Sequence, residues 1–147
     1  MADFGESRFL LNPWEENMTK QPGNLRWMAP EVFTQCTKYS VQADVFSYAL
    51  CFWELITCDL PFSHLKPAAA AADMAYRDAR PPISTSIPEE IASIIAKAWH
   101  KNPGERPTFQ MIIEMLNAAW NCEAVQEIAR IQGVQPALGS AYRVSAK

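Results

Sequence analysis

Val45-Phe46-Ser47-Tyr48-Ala49-Leu50-Cys51-Phe52-Trp53-Glu54-Leu55-Ile56 is the most apolar run of the chain: ten of its twelve side chains are hydrophobic, and only Ser47 and Glu54 break it. Wound as a helix, the run presents apolar residues on every side, and a helix apolar all round is buried all round. The stretch therefore predicts a central helix from Val41 to Thr57, opened by Ser40 as N-cap, with the rest of the fold packed around it. It is well short of the ~20 apolar residues that a membrane span needs.

Downstream, Asp59, Pro61 and His64 mark a loop, and Pro67 opens an alanine-rich helix to about Arg77. Arg80-Pro81-Pro82 stops it. Pro88-Glu89-Glu90 starts another helix, with acidic residues at its positive end and Lys97, His100 and Lys101 at its negative end. Ile91, Ile94, Ile95, Ala98 and Trp99 form its apolar stripe, and Asn102-Pro103-Gly104 ends it. Thr108 can cap a further helix with the stripe Phe109, Ile112, Ile113, Leu116 and Trp120. A weaker helical stretch covers Glu123 to Gln132, and Gly133 to Lys147 reads as a frayed tail. Upstream, Pro30 suits the first position of a short helix through about Gln35. The residues before it are irregular, with Pro13, Pro22 and Gly23 as breakers, and a loop of that length is expected to be functional.

The 147 residues suffice for one compact core, and a composition 49% apolar and 20% charged excludes a disordered tail. Thirteen basic against sixteen acidic residues give a net charge of −3, which argues against nucleic acid or an anionic membrane as the main partner. Cys36, Cys51, Cys58 and Cys122 form no Cys-x-x-Cys pair, and His64 and His100 stand alone. The thiols are read as reduced core residues, without a disulfide framework or a zinc site. Asp3 and Glu6 without an apolar run leave no signal peptide in view. The expected compartment is the cytoplasm, with the nucleus second.

Asp3-Phe4-Gly5, a polar loop, and then Ala29-Pro30-Glu31 resemble the bracketing pair of a kinase activation segment. Asp44 follows at the head of the apolar helix, and Pro103 and Arg106-Pro107 precede the helix opened by Thr108. Together these residues resemble the C-terminal lobe of a eukaryotic protein kinase. Gly23-Asn24-Leu25-Arg26-Trp27-Met28-Ala29-Pro30-Glu31, with Trp99 before Pro103, is similar to the tyrosine-kinase-like group, most of whose members phosphorylate Ser or Thr. The resemblance implies a mainly α fold, the helical C-lobe without the N-lobe and catalytic loop. Residues 1–120 would be a partial kinase domain and 121–147 a C-terminal extension.

The same resemblance implies roles. Asp3 would bind magnesium and through it ATP, since a hard divalent ion takes carboxylate oxygen. Phe4 would set an active or inactive pose, and Gly5 would free the hinge. Thr19 and Ser7 are loop hydroxyls open to a regulatory phosphate, with Arg8, Lys20 and Arg26 close by in sequence. Asn24 stands where the family usually has Thr, which leaves Ser/Thr against Tyr acceptors open. Glu31 and Arg106 would form one buried ion pair tying the activation segment to the lobe. Asp44 would hold the backbone of the catalytic loop, and Cys51 and Leu55 would pack toward the adenine side or simply lie in the core. Glu54 is read as facing either a substrate groove or solvent.

These 147 residues hold no Gly-rich phosphate loop, no strand lysine and no His-Arg-Asp catalytic loop. No residue of the chain is therefore expected to be catalytic by itself, and a start at Met1-Ala2-Asp3 suggests a truncated gene model, an isoform or an internal start. The expected function is the C-lobe portion of a protein kinase, inactive in isolation, with protein substrates or kinase partners. The alternative is a non-catalytic interaction module. Helix residues deprived of their usual cover would favour self-association.

Overall fold

The computed structural model describes residues 24–35 and 40–131, and these form six α-helices and two 3-10 turns with no strand among the described residues. The first turn, Leu25–Trp27, leads into α1 (Pro30–Gln35), whose first residue is the proline that costs no hydrogen bond there. Helix α2 spans Val41–Thr57 as the apolar run requires. Ser40 does occupy its N-cap with extended backbone, but its hydroxyl makes no capping bond. The reason is local: the third amide of the helix, that of Ala43, already reaches the Ser40 carbonyl at 2.9 Å.

Helix α3 (Pro67–Tyr76) packs against α1 and the first turn, and buries Ala70, Ala71 and Met74. Helix α4 (Glu89–Ala98) lies across α2 with the expected face inward: Ile94, Ile95, Ala98 and Trp99 are buried. The second turn, Pro103–Glu105, is capped by Asn102, whose Oδ1 accepts from the Gly104 amide at 3.1 Å. Thr108 caps α5 (Phe109–Trp120) by accepting from the Met111 amide at 3.2 Å. Helix α6 (Glu123–Ile131) packs on α5. The tail from Gly133 lies outside the described residues.

Phe46, Leu50, Met74, Ile94, Ile95 and Ile112 form the centre of the core, and the Trp53 indole satisfies its N–H on the Pro82 carbonyl at 2.9 Å. Two expectations about burial need correction. Helix α2 is not covered on all sides: Ala43, Val45, Phe46, Ala49, Leu50 and Trp53 are inside, whereas Cys51 is exposed and Leu55 is 74% exposed. Helix α5 is also rotated relative to the stripe read from its sequence. Ile112, Met115, Leu116 and Ala119 face the core, while Phe109, Ile113 and Trp120 are exposed. An apolar stripe says which residues can be buried; the neighbouring helices decide which are.

Helix α2 ends on Cys58, a left-handed residue at φ 56 whose amide reaches the Glu54 carbonyl at 2.8 Å. A side chain there is strained, and glycine is not. Cys58→Gly should raise stability by about 0.5–1 kcal/mol, the relief of the strained Cβ less the extra entropy of an unfolded glycine. Denaturant unfolding of the two chains measures it; a loss of stability would contradict the capping argument.

Candidate functional site

The segment from Asn24 through α1 is fastened to the helices at three places, each with its own chemistry. Asn24, exposed, precedes the first turn and makes no side-chain capping bond. The Arg26 side chain turns inward. Its Nη1 donates to the Pro61 and Phe62 carbonyls at 2.7 and 2.6 Å, and its Nη2 to the Leu65 carbonyl at 2.9 Å. The residue is 6% exposed. These donors are committed to the loop between α2 and α3, so the reading of Arg26 as a partner for a loop phosphate is corrected. Backbone carbonyls of a turn cannot be read from sequence as acceptors.

The second fastening is Trp27. Its indole Nε1 donates to Glu54 Oε2 at 2.8 Å, and its carbonyl accepts from the Ser47 hydroxyl at 2.8 Å. The two polar interruptions of the apolar run in α2 therefore both serve this one residue. Glu54 is half-buried, and its carboxylate holds the loop before α1.

The third is the pair of Glu31, in the first turn of α1, with Arg106, just before α5. Arg106 Nη1 lies 2.6 Å from Glu31 Oε1 and Nη2 lies 2.9 Å from Oε2, a two-pronged contact of the strong, geometrically specific kind. The Arg106 side chain is 0% exposed and that of Glu31 15%. Nε donates to the His100 carbonyl at 2.8 Å, Nη1 also to the Gln42 carbonyl at 2.8 Å, and Nη2 to the Lys101 carbonyl at 3.4 Å. All five guanidinium N–H groups thus have acceptors. A charge so deeply placed is tolerable only with that full set.

Arg80 is the residue that sequence reading passed over, as part of a helix stop. Its Nε donates to the Trp99 carbonyl at 2.9 Å, and its Nη1 to the Ala79 carbonyl at 2.7 Å and the Met74 carbonyl at 3.4 Å. Nη2 pairs with Asp78 at 3.0 Å. Burial holds its pKa below the usual arginine value, with Asp78 working in the opposite direction.

Asp44 sits exposed in the first turn of α2, where the helix dipole favours an anion. Cys51 and Leu55 are on the uncovered side of that helix and not in the core. Partial burial, and then the Glu54 carboxylate, push the Cys51 thiol up, away from the reactive range. Asp3, Phe4, Gly5, Ser7 and Thr19 lie outside the described residues. Among the described residues, no three His, Cys, Asp or Glu side chains gather where a metal ion could be held. No helix among them is long and apolar enough to cross a membrane.

A helical platform with Ala29-Pro30-Glu31 locked onto an arginine 75 residues further on has the architecture of a protein-kinase C-lobe. A family model described as protein tyrosine and serine/threonine kinase matches residues 1–116, and the chain belongs to that family. It is 65% identical over 116 residues to serine/threonine-protein kinase TNNI3K of Mus musculus and 64% identical to that of Homo sapiens. Each match covers 79% of this chain and 14% of the relative. Serine/threonine-protein kinase STY17 of Arabidopsis thaliana is 42% identical over 117 residues, 80% of this chain and 20% of its own length. The chain thus spans about one seventh of the length of the TNNI3K relatives, in agreement with a C-lobe fragment of the tyrosine-kinase-like group.

Proposed function

We propose that the chain is the substrate-side portion of a serine/threonine-protein kinase domain, running from the activation segment to the last helices of the C-lobe. It serves ATP-dependent phosphorylation of protein Ser or Thr in the cytoplasm and does not catalyse that transfer alone. The two-pronged Glu31–Arg106 contact carries this reading, because it anchors the end of the activation segment to the lobe. In the same reading residues 1–120 are the partial domain and 121–147 an extension. Asp3 supplies a carboxylate to magnesium, Phe4 and Gly5 set the pose of the segment, Thr19 is open to phosphate, and Asn24 stands in the segment's substrate-facing turn. Asp44 steadies the catalytic-loop backbone. Phosphoryl transfer is mostly positioning and charge stabilisation, and the catalytic lysine and base are not among these residues.

An exchange experiment tests this. When the matched 116-residue segment of the mouse relative is replaced by that of this chain, the hybrid should phosphorylate a protein substrate within roughly tenfold of its parent. The 147-residue chain alone, given magnesium-ATP and the same substrate, should incorporate no phosphate. A folded but dead hybrid would overturn the assignment of the segment. Incorporation by the chain alone that vanishes in Asp3→Ala would overturn its inactivity.

The uncovered side of α2 and α5 favours a second reading, a non-catalytic interaction module. Tyr48 stacks on Phe52 and meets Phe109 edge-on, and Cys51, Leu55, Phe109 and Ile113 are exposed around them. Apolar surface of this kind drives association. The isolated chain should therefore sediment as more than a monomer at micromolar concentration, and Leu55→Lys with Ile113→Lys should restore the monomer. A wild-type chain that stays monomeric would remove this reading.

A further inference from the structure

Two guanidinium groups lie over one buried ring. Phe46 of α2 is fully buried, with the Arg106 guanidinium carbon 4.9 Å and the Arg80 guanidinium carbon 5.0 Å from its ring centroid. Both arginines also grip the turn that follows α4: Arg80 holds the Trp99 carbonyl, and Arg106 holds those of His100 and Lys101. Three successive carbonyls of that turn are thus shared between two cations. The groups facing this cluster are Glu31 from α1, Asp78 from the loop after α3, and Phe46 from α2. Beside the Asp78 carboxylate, Arg106 and Glu31 act on the charge of Arg80 with opposite sign.

We propose that Arg80 is a positioning residue for the segment 24–35, acting through Phe46 and Arg106. It fixes the ring and the turn after α4 against which Arg106 is aligned, and Arg106 in turn aligns Glu31. Arg80 itself touches no residue of α1 through any of its hydrogen bonds, which go to Met74, Asp78, Ala79 and Trp99. The exposed end of this relay is Asp78, whose side chain is 50% exposed and whose backbone is left-handed at φ 54. The loop between α3 and α4 is thereby coupled to the activation-segment anchor. This rests on the reading that Glu31–Arg106 holds the segment.

Residue-resolved hydrogen exchange on the full chain tests the relay. The amides of Val32 and Phe33 bond to the Ala29 carbonyl at 3.0 and 3.1 Å and report on α1, while those of α5 serve as reference. Arg80→Met should speed exchange at Val32 and Phe33 by about tenfold relative to α5, and Arg80→Lys, which keeps the charge over the ring, should restore most of the protection. In a Glu31→Gln background, the further effect of Arg80→Met at these amides should fall below about threefold, the non-additivity of a shared network. Equal effects with and without Glu31, or a uniform rise through α5, would overturn the relay and leave Arg80 a structural residue. If Arg80→Met does not fold, Asp78→Asn replaces it: a rise at Val32 and Phe33 supports the relay, and no change there rejects it. Glu31→Gln alone leaving these amides protected would instead reject the underlying reading of the anchor.

Discussion

Arg106→Met should destabilise the chain by about 3–5 kcal/mol, the usual cost of removing one partner of a buried ion pair. The loss exceeds that of an ordinary salt bridge because five acceptors are stranded together: both Glu31 oxygens and the carbonyls of Gln42, His100 and Lys101. Glu31→Gln should cost less, roughly 1–3 kcal/mol, because an amide oxygen still accepts from the guanidinium. Chemical denaturation of the three chains checks both figures and their order. A change below about 1 kcal/mol for Arg106→Met would mean that water replaces the pair, and that the burial seen here does not persist in solution.

The second large effect is expected at Arg26. Arg26→Met removes the only side-chain donor to the Pro61, Phe62 and Leu65 carbonyls among the hydrogen bonds described, in a loop where Phe62 has a left-handed backbone at φ 51. An aromatic residue in that conformation is held there by its surroundings and not by its own preference. The expected cost is about 2–4 kcal/mol, below the sum of three charge-assisted bonds because water can reach the outer carbonyls. Limited proteolysis adds a local readout: cleavage between Asp59 and Lys66 should become faster in the variant than anywhere in α4. Unchanged cleavage there would show that the loop keeps its shape without the arginine.

The elements themselves were legible. Pro30, Pro67 and Pro88 each stand at or beside the start of a helix, Thr108 caps α5, and the breaks at Pro81-Pro82 and Asn102-Pro103-Gly104 fall between helices. These are local signals, in which one residue's backbone geometry decides its neighbours'. The family was legible for a different reason: Asp3-Phe4-Gly5, Ala29-Pro30-Glu31 and Arg106-Pro107 keep their order and spacing in the chain, and the match over residues 1–116 follows them.

What the sequence by itself determined is therefore the set of helices, the Thr108 cap and the kinase family. The tertiary structure alone decided how the charges are used. It placed Arg26 on the turn carbonyls of Pro61, Phe62 and Leu65, Glu54 on Trp27, and Arg80 beside Arg106 over Phe46. It also turned Leu55 and Ile113 outward from helices whose patterns would have buried them. The physical reason is common to all of these. A backbone carbonyl carries no residue-specific signature in the sequence, and an apolar face is buried only where another element arrives to cover it.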